Sequence, residues 1–422
     1  MAQRKKKQSS HQQQKIAKAK HKNEFLSKLK YLTNSVCKED IYSLIPKEML
    51  EEVYSCRYHT VRIELAEGCN VSSHIHNLLK RTVSAWLKSE KISLAKGVEI
   101  SFDDYYTIAL SSRYIKTIKF INLPDIGNLK KGIETLYDMV GGALEEAQSA
   151  TVLALFAFCL GFSCMEKSLY WFKLDLSASE DYGEGLHHLA FLHSVEVESI
   201  NIVVDGTSRP AKRVGWAFTG SGLLWATLKP SILNVKGPFA DIPVDVYIQS
   251  HALQRLNERL DCFEVGTIQM SLYESLRDAK VVFENCDQPL IEYKFFGTKV
   301  GYLRADYVDG VILIRTFLFI TNNGTPEGKK LEKVTGLQKL DKKYLAIDRM
   351  SAFNSSDMSS NPEVREIFES AGCGNLISLY KEIALFSNKQ SNQNISKLLL
   401  DYLKKAEVFL QGDVVPEHAE AE

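Results

Sequence analysis

The chain has eight cysteines and not one CxxC pair. The thiols, at positions 37, 56, 69, 159, 164, 262, 286 and 373, are scattered. That excludes a disulfide-stapled secreted scaffold and implies reduced cysteines in a cytoplasmic protein. Zinc-type spacing is missing as well. His74/His76 and His187/His188/His193 are small clusters without suitably placed cysteine or acidic partners, so no metal site is expected. No apolar run reaches the roughly 20 residues of a membrane helix. The longest, ATVLALFAFCLGF at 150–162, follows Glu145 and Glu146 and predicts a buried core helix. The basic N-terminus has no apolar segment behind it, unlike a secretory signal. GTPEGKK at 324–330 fails the phosphate-loop spacing, and no cofactor is expected.

Net charge is absent too, with 52 basic against 52 acidic residues, but the balance is uneven. Residues 1–30 hold ten Lys or Arg and one Glu. Residues 1–25 are rich in Lys and Gln and lack a core pattern, so they predict a disordered basic arm. Lys5, Lys6 and Lys7 are its candidate RNA contacts, by phosphate neutralisation. The alternative is a solubilising tail.

Hydrophobic periodicity predicts an α+β protein. An N-terminal mixed α/β unit of unknown role spans 26–235. It has helices over 26–60, 73–90 and 128–163, and strands at YHTVRIEL, 116–123, 168–176, 194–204, 214–219 and 223–228. In the 73–90 helix, Ile75, Leu78, Leu79, Val83 and Leu87 form the expected buried stripe. DGTSRPAKR at 205–213 reads as a polar loop with three basic residues, a solvated hairpin tip rather than a ligand site. The chain has ten prolines, and three of them fall within 230–243, which predicts a domain boundary there.

The module expected at 244–350 opens with a short strand, VDVYIQ, and then SHALQRLNERLD at 250–261. Ser250 suits an N-cap. Leu253, Leu256 and Leu260 form the apolar side of the helix, while His251, Arg255 and Arg259 line up on another. A second helix over 264–276 precedes four strands at 279–285, 289–296, 299–308 and 311–320. Gly297-Thr298 suits a type II′ turn and Asp309-Gly310 a type I′ turn, which predicts an antiparallel meander. Residues 321–350 read as a basic extension carrying Lys329 and Lys330, C-terminal helices are expected over 362–410, and 411–422 is an acidic tail.

SHALQRLNERLD resembles the S-x-H-A-x-x-R-x-x-x-R opening of small RelE-like and BrnT-like toxin domains, here without the residue between Ser250 and His251. The resemblance covers about 244–320. It implies metal-independent RNA cleavage without a bound cofactor, and the family's basic strand residues look like Arg304 and Arg315. Such chemistry uses the RNA 2′-hydroxyl as nucleophile and needs a base, an acid and cations for the phosphate. His251 suits acid–base work, since imidazole titrates near neutrality. At a helix start the macrodipole disfavours the imidazolium. Arg255, Arg304 and Arg315 would clamp phosphate. Arg259, Lys294 and Tyr302 are further candidate RNA contacts, and Tyr293 a candidate assistant. Alternatively His251 caps the helix or bridges to a carboxylate, Arg255 and Arg259 pair with Glu258 or Asp261, and Arg315 holds a buried structural ion pair.

Three functions follow as expectations. One is an RNA-cleaving toxin or defence effector, with a neutralising protein as partner. Another is an RNA- or ribosome-binding protein without chemistry. The third is an interaction scaffold with a degenerate toxin-like module.

Overall fold

The computed structural model describes residues 10–37, 39–95, 97–117, 126–175, 186–284, 288–353, 358, 360–383 and 395–412. The fold is α+β, as expected. It divides into two units. The first joins residues 1–159 to 171–194 and 218–222; the second joins 160–170 to 195–217 and 223–422.

The first unit starts with a long helix, Ser10–Cys37, where a disordered arm was expected up to residue 25. Phe25, Leu29, Leu32 and Val36 bury one stripe of it. Residues 12–20 are exposed, and their Lys, Gln and Ala are good helix formers that continue the turn once it is nucleated. Lys5, Lys6 and Lys7 lie outside the described residues. Helices Lys47–Ser55 and Ser73–Ser89 flank β1 (Tyr58–Leu65). Ser72 caps the second by accepting from the Ile75 amide at 3.3 Å. Leu79, Val83 and Leu87 are buried as predicted, but Leu78 is 38% exposed. An antiparallel pair follows, β2 (Lys91–Ala95) and β3 (Val98–Ser101). The helical stretch after it contains a π turn at Tyr105–Ala109. Of the strand expected at 116–123, Thr117 and its predecessors are helical, and 118–123 lie outside the described residues.

The helix expected over 128–163 is two, Ile126–Gly142 and Leu144–Leu160. By length and composition alone Gly127–Leu160 could cross a membrane, which the shorter run at 150–162 could not. Ala147, Thr151, Leu155 and Cys159 are nevertheless buried along one line. The unit's sheet joins β1, β5 (Leu186–Glu196) and β4 (Ser168–Asp175) in that order, with β1 parallel to β5.

The second unit is built on one mixed sheet. Its strands are β6 (Ser199–Val204), β7 (Thr207–Arg213), β10 (Thr227–Leu228), β11 (Val244–Gln249), β12 (Val281–Glu284), β13 (Gln288–Phe295), β14 (Thr298–Val308) and β15 (Val311–Phe319). β8 (Gly215–Phe218) and β9 (Gly222–Trp225) pair with each other. The sheet order is β12-β13-β14-β15-β11-β7-β6, with β10 also on β11. β12 to β15 form the expected antiparallel meander. Its β13–β14 link is Phe296-Gly297, one residue earlier than read. Both residues have positive φ, 47° and 78°, so the turn is type I′ rather than II′. β15 then returns to lie parallel to β11, pairing Val246 with Ile312.

The loop expected at 205–213 shrinks to a hairpin tip at its first two residues, and the rest is strand. Asp205-Gly206, at φ 51° and 73°, turns the chain into β7, which pairs antiparallel with β6 and with β11. The proline-marked stretch 230–243 therefore lies inside the second unit, whose sheet takes strands from both sides of it. Helices Ser250–Arg259 and Val265–Arg277 pack on the sheet. Their Leu253, Leu256, Leu260, Leu272 and Leu276 are fully buried, each contributing about 1.5–3 kcal/mol. By strand alternation, Ile202, Val204, Ala211, Tyr247 and Leu313 cluster on one side of the sheet, opposite to Val246 and Ile248.

The extension after 321 is ordered into helices Pro326–Thr335 and Lys339–Tyr344. Thr325 caps the first, its hydroxyl oxygen accepting from the Gly328 amide at 2.9 Å. Helices Pro362–Ser370, Asn375–Ile383 and Ile395–Gly412 follow where helices were expected, and the acidic tail from 413 is outside the described residues.

Candidate nucleic-acid interface

β11 runs into helix Ser250–Arg259 without a loop. The capping position is Gln249, and it makes no side-chain cap bond. Ser250 does not cap; its hydroxyl donates to the Pro210 carbonyl at 3.5 Å. His251 therefore stands in the first helical turn, half-buried. Register decides its neighbours. Antiparallel β7 places Ala211 opposite Gln249, so Arg209 comes level with the helix start. Parallel β15 pairs Ile314 with Ile248, which brings up Arg315 from the other side. Arg255 follows one helical turn after His251.

Burial holds the His251 imidazole below its ordinary value, and the charges of Arg255, Arg209 and Arg315 push it the same way. Three guanidinium groups and one imidazole thus share one end of the sheet. Arg209 and Arg255 are exposed, and neither has an ion-pair partner among the described residues. Arg315 differs. It is the bulged residue where the β14–β15 register shifts, and its guanidinium is held at 2.6 Å by Asp205 and 3.0 Å by Asp306. Those bonds raise its pKa further. Asp205 is 78% exposed, so an incoming anion can compete for this arginine at little cost.

The other predicted site residues do not join the group. Arg304 is half-buried opposite Thr316, its Nε has no partner, and it is not among the charges acting on His251. Arg259 binds the buried Asp348. It pairs with neither Glu258 nor Asp261: Glu258 accepts from Gln254, and Asp261 holds Ser351. Lys294 lies 3.6 Å from Glu292. Tyr293 is fully buried and donates to the Ile268 carbonyl. Tyr302 is 1% exposed, pushed up to about 12 by burial, and bonded to Glu327 and Lys299. It cannot stack on a base. Lys329 and Lys330 ride on the Pro326–Thr335 helix.

Arg209 was missed in the sequence because its segment was read as a loop. The signal was there: an Asp-Gly step between two runs of strand length. Among the described residues, no group of three or more His, Cys, Asp or Glu side chains could hold a metal. Every charge acting on His251 is a guanidinium, an arrangement able to bind phosphate with a neutral imidazole beside it. Comparison of the chain with family models, curated proteins and solved structures finds no match in any of the three.

Proposed function

We propose that the second unit binds RNA by its phosphate backbone, with Arg209 and Arg255 as the working cations and Arg315 recruited as Asp205 lets go. The observation that carries this is the meeting of three arginines at one imidazole, two of them exposed and without carboxylate partners among the described residues. The likeness of SHALQRLNERLD to the RelE-like opening selects RNA rather than another polyanion. The place of action that fits scattered free thiols is the cytoplasm.

Anisotropy titrations of single-stranded RNA against salt test the reading. Each of Arg209→Ala and Arg255→Ala should weaken binding and lower the salt slope by roughly one. A double variant with unchanged affinity and slope would sink it.

A second reading, metal-independent cleavage, is favoured by the lowered His251 pKa, which keeps the imidazole neutral and able to take a proton from the 2′-hydroxyl. Wild type should then cut RNA in excess chelator, and His251→Ala should bind RNA but leave it whole. Equal cutting by the variant removes His251 from the reaction. The case for binding is the stronger, because a cleaving site also needs an acid for the leaving oxygen, and the charges that lower the His251 pKa all come from guanidinium groups.

A further inference from the structure

The first unit has a cleft of its own, about 350 Å³, lined by residues of the Ser10–Cys37 helix, β1, the Ser73–Ser89 helix and the helical stretch that opens at Phe102. It adjoins a second hollow of about 440 Å³, with Lys28, Lys88, Asp103 and Ile108 lining both. Such volumes suit a small organic ligand.

Arg57 is the residue that defines one end. Its guanidinium lies over the Tyr54 ring at 4.2 Å, and Nη1 donates to the Tyr54 carbonyl at 2.7 Å. The group is thereby oriented, yet it has no carboxylate partner among the described residues, and its Nε is buried without a partner. Arginine has five donors in a rigid fork, and one of these is used by Tyr54. Two imidazoles stand beside it in the lining, His21 and His59. The His21 ring is fixed by a 3.1 Å bond between Nδ1 and the Tyr54 hydroxyl. Burial first, then Arg57 and His59, hold His21 below its ordinary value against the opposing pull of Glu24.

Where the cleft meets the second hollow, the lining includes an exposed Lys88 and Lys28, the latter bonded to Asp104 at 2.5 Å. Glu24 and Asp103 are the acids of the cleft, and Glu24 lies 3.8 Å from Lys20. They give the cleft acceptors suited to amino or hydroxyl groups. Thr107 and Ile108 enter the lining from the π turn Tyr105–Ala109, a distortion that recurs at functional sites. A metal is not the fit, since the two histidines and two acids do not converge as ligands.

We propose that this cleft binds a phosphate-bearing small molecule of mononucleotide size, its phosphate on Arg57 beside His21 and His59 and its polar body toward Asp103 and Lys88. This site is independent of the RNA interface of the second unit.

Calorimetry on the full chain with AMP, adenosine and inorganic phosphate tests it. AMP should bind more tightly than either of the others. Arg57→Met should weaken AMP roughly tenfold or more, as expected for a lost charge-assisted bond. Lys88→Glu, on an exposed side chain and harmless to folding, should weaken AMP severalfold. Both variants should bind RNA as wild type does, and circular dichroism should match. No AMP binding, adenosine binding as tight as AMP, or AMP affinity untouched by Lys88→Glu and by a folded Arg57→Met would each overturn the proposal.

Discussion

Arg255 and Arg259 sit one helical turn apart and meet different fates. Arg259 is tied to Asp348, whose side chain is 12% exposed, and Arg255 points into solvent. Removing Arg259 leaves the nearly buried Asp348 with the longer 3.7 Å contact to Arg349, so Arg259→Ala should cost about 1–2 kcal/mol in urea unfolding and leave RNA affinity unchanged. Arg255→Ala should do the reverse. His251 adds a pH effect. Its folded pKa lies below the unfolded value, so below about pH 6.5 the unfolded chain takes up the proton more readily and stability falls until the folded pKa is passed. Unfolding midpoints for His251→Gln should therefore decline less between pH 7 and 5 than those of wild type. The histidine–arginine line was legible in the sequence because residues four apart share a helix face. The fate of Arg259 was not, since its partner lies far down the chain at Asp348.

At the scale of elements, the second sheet turns on positive-φ pairs at Asp205-Gly206, Phe296-Gly297 and Asp309-Gly310. A Cβ on Gly310 would meet nothing, so Gly310→Ala should cost only the conformational penalty of about 1–2 kcal/mol. Gly301 faces a different constraint. A Cβ there would lie 2.4 Å from the Leu318 carbonyl oxygen, where β14 and β15 pair. Gly301→Ala should cost about 3 kcal/mol and broaden amide exchange protection losses along both strands, read by hydrogen exchange. The meander and both helices were legible because alternation and helical spacing are strong there. β7 was not, because its TSRPAKR lacks the apolar alternation of a half-buried strand: only Ala211 is buried. The Phe296 turn was misplaced by one residue because a phenylalanine seldom takes a positive φ.

For the whole molecule, the two units interleave in sequence, and composition carries no mark of where the chain passes from one to the other. Proline crowding at 230–243 marks irregular chain inside the second unit rather than a border between units. The thiols give a global readout. Cys56 is exposed, whereas Cys159, Cys262 and Cys373 are buried. Burial pushes Cys164 up to about 11 and Cys373 up to about 12. A thiol reagent at neutral pH should modify Cys56 quickly and reach Cys159, Cys262 and Cys373 only with denaturant, as mass mapping would show. Fast native labelling of Cys373 would contradict this packing.

The parallel seam between β11 and β15 also sets a timetable. β11 leaves the ribosome with its Val246–Ile248 flank unmatched, and the strand that completes it is the last of the sheet to be made. Translation at about 5–20 residues per second puts that interval at seconds. Throughout it the nascent chain carries a naked, apolar strand edge, open to wrong partners. Slow synthesis, or premature termination anywhere ahead of β15, prolongs that exposure.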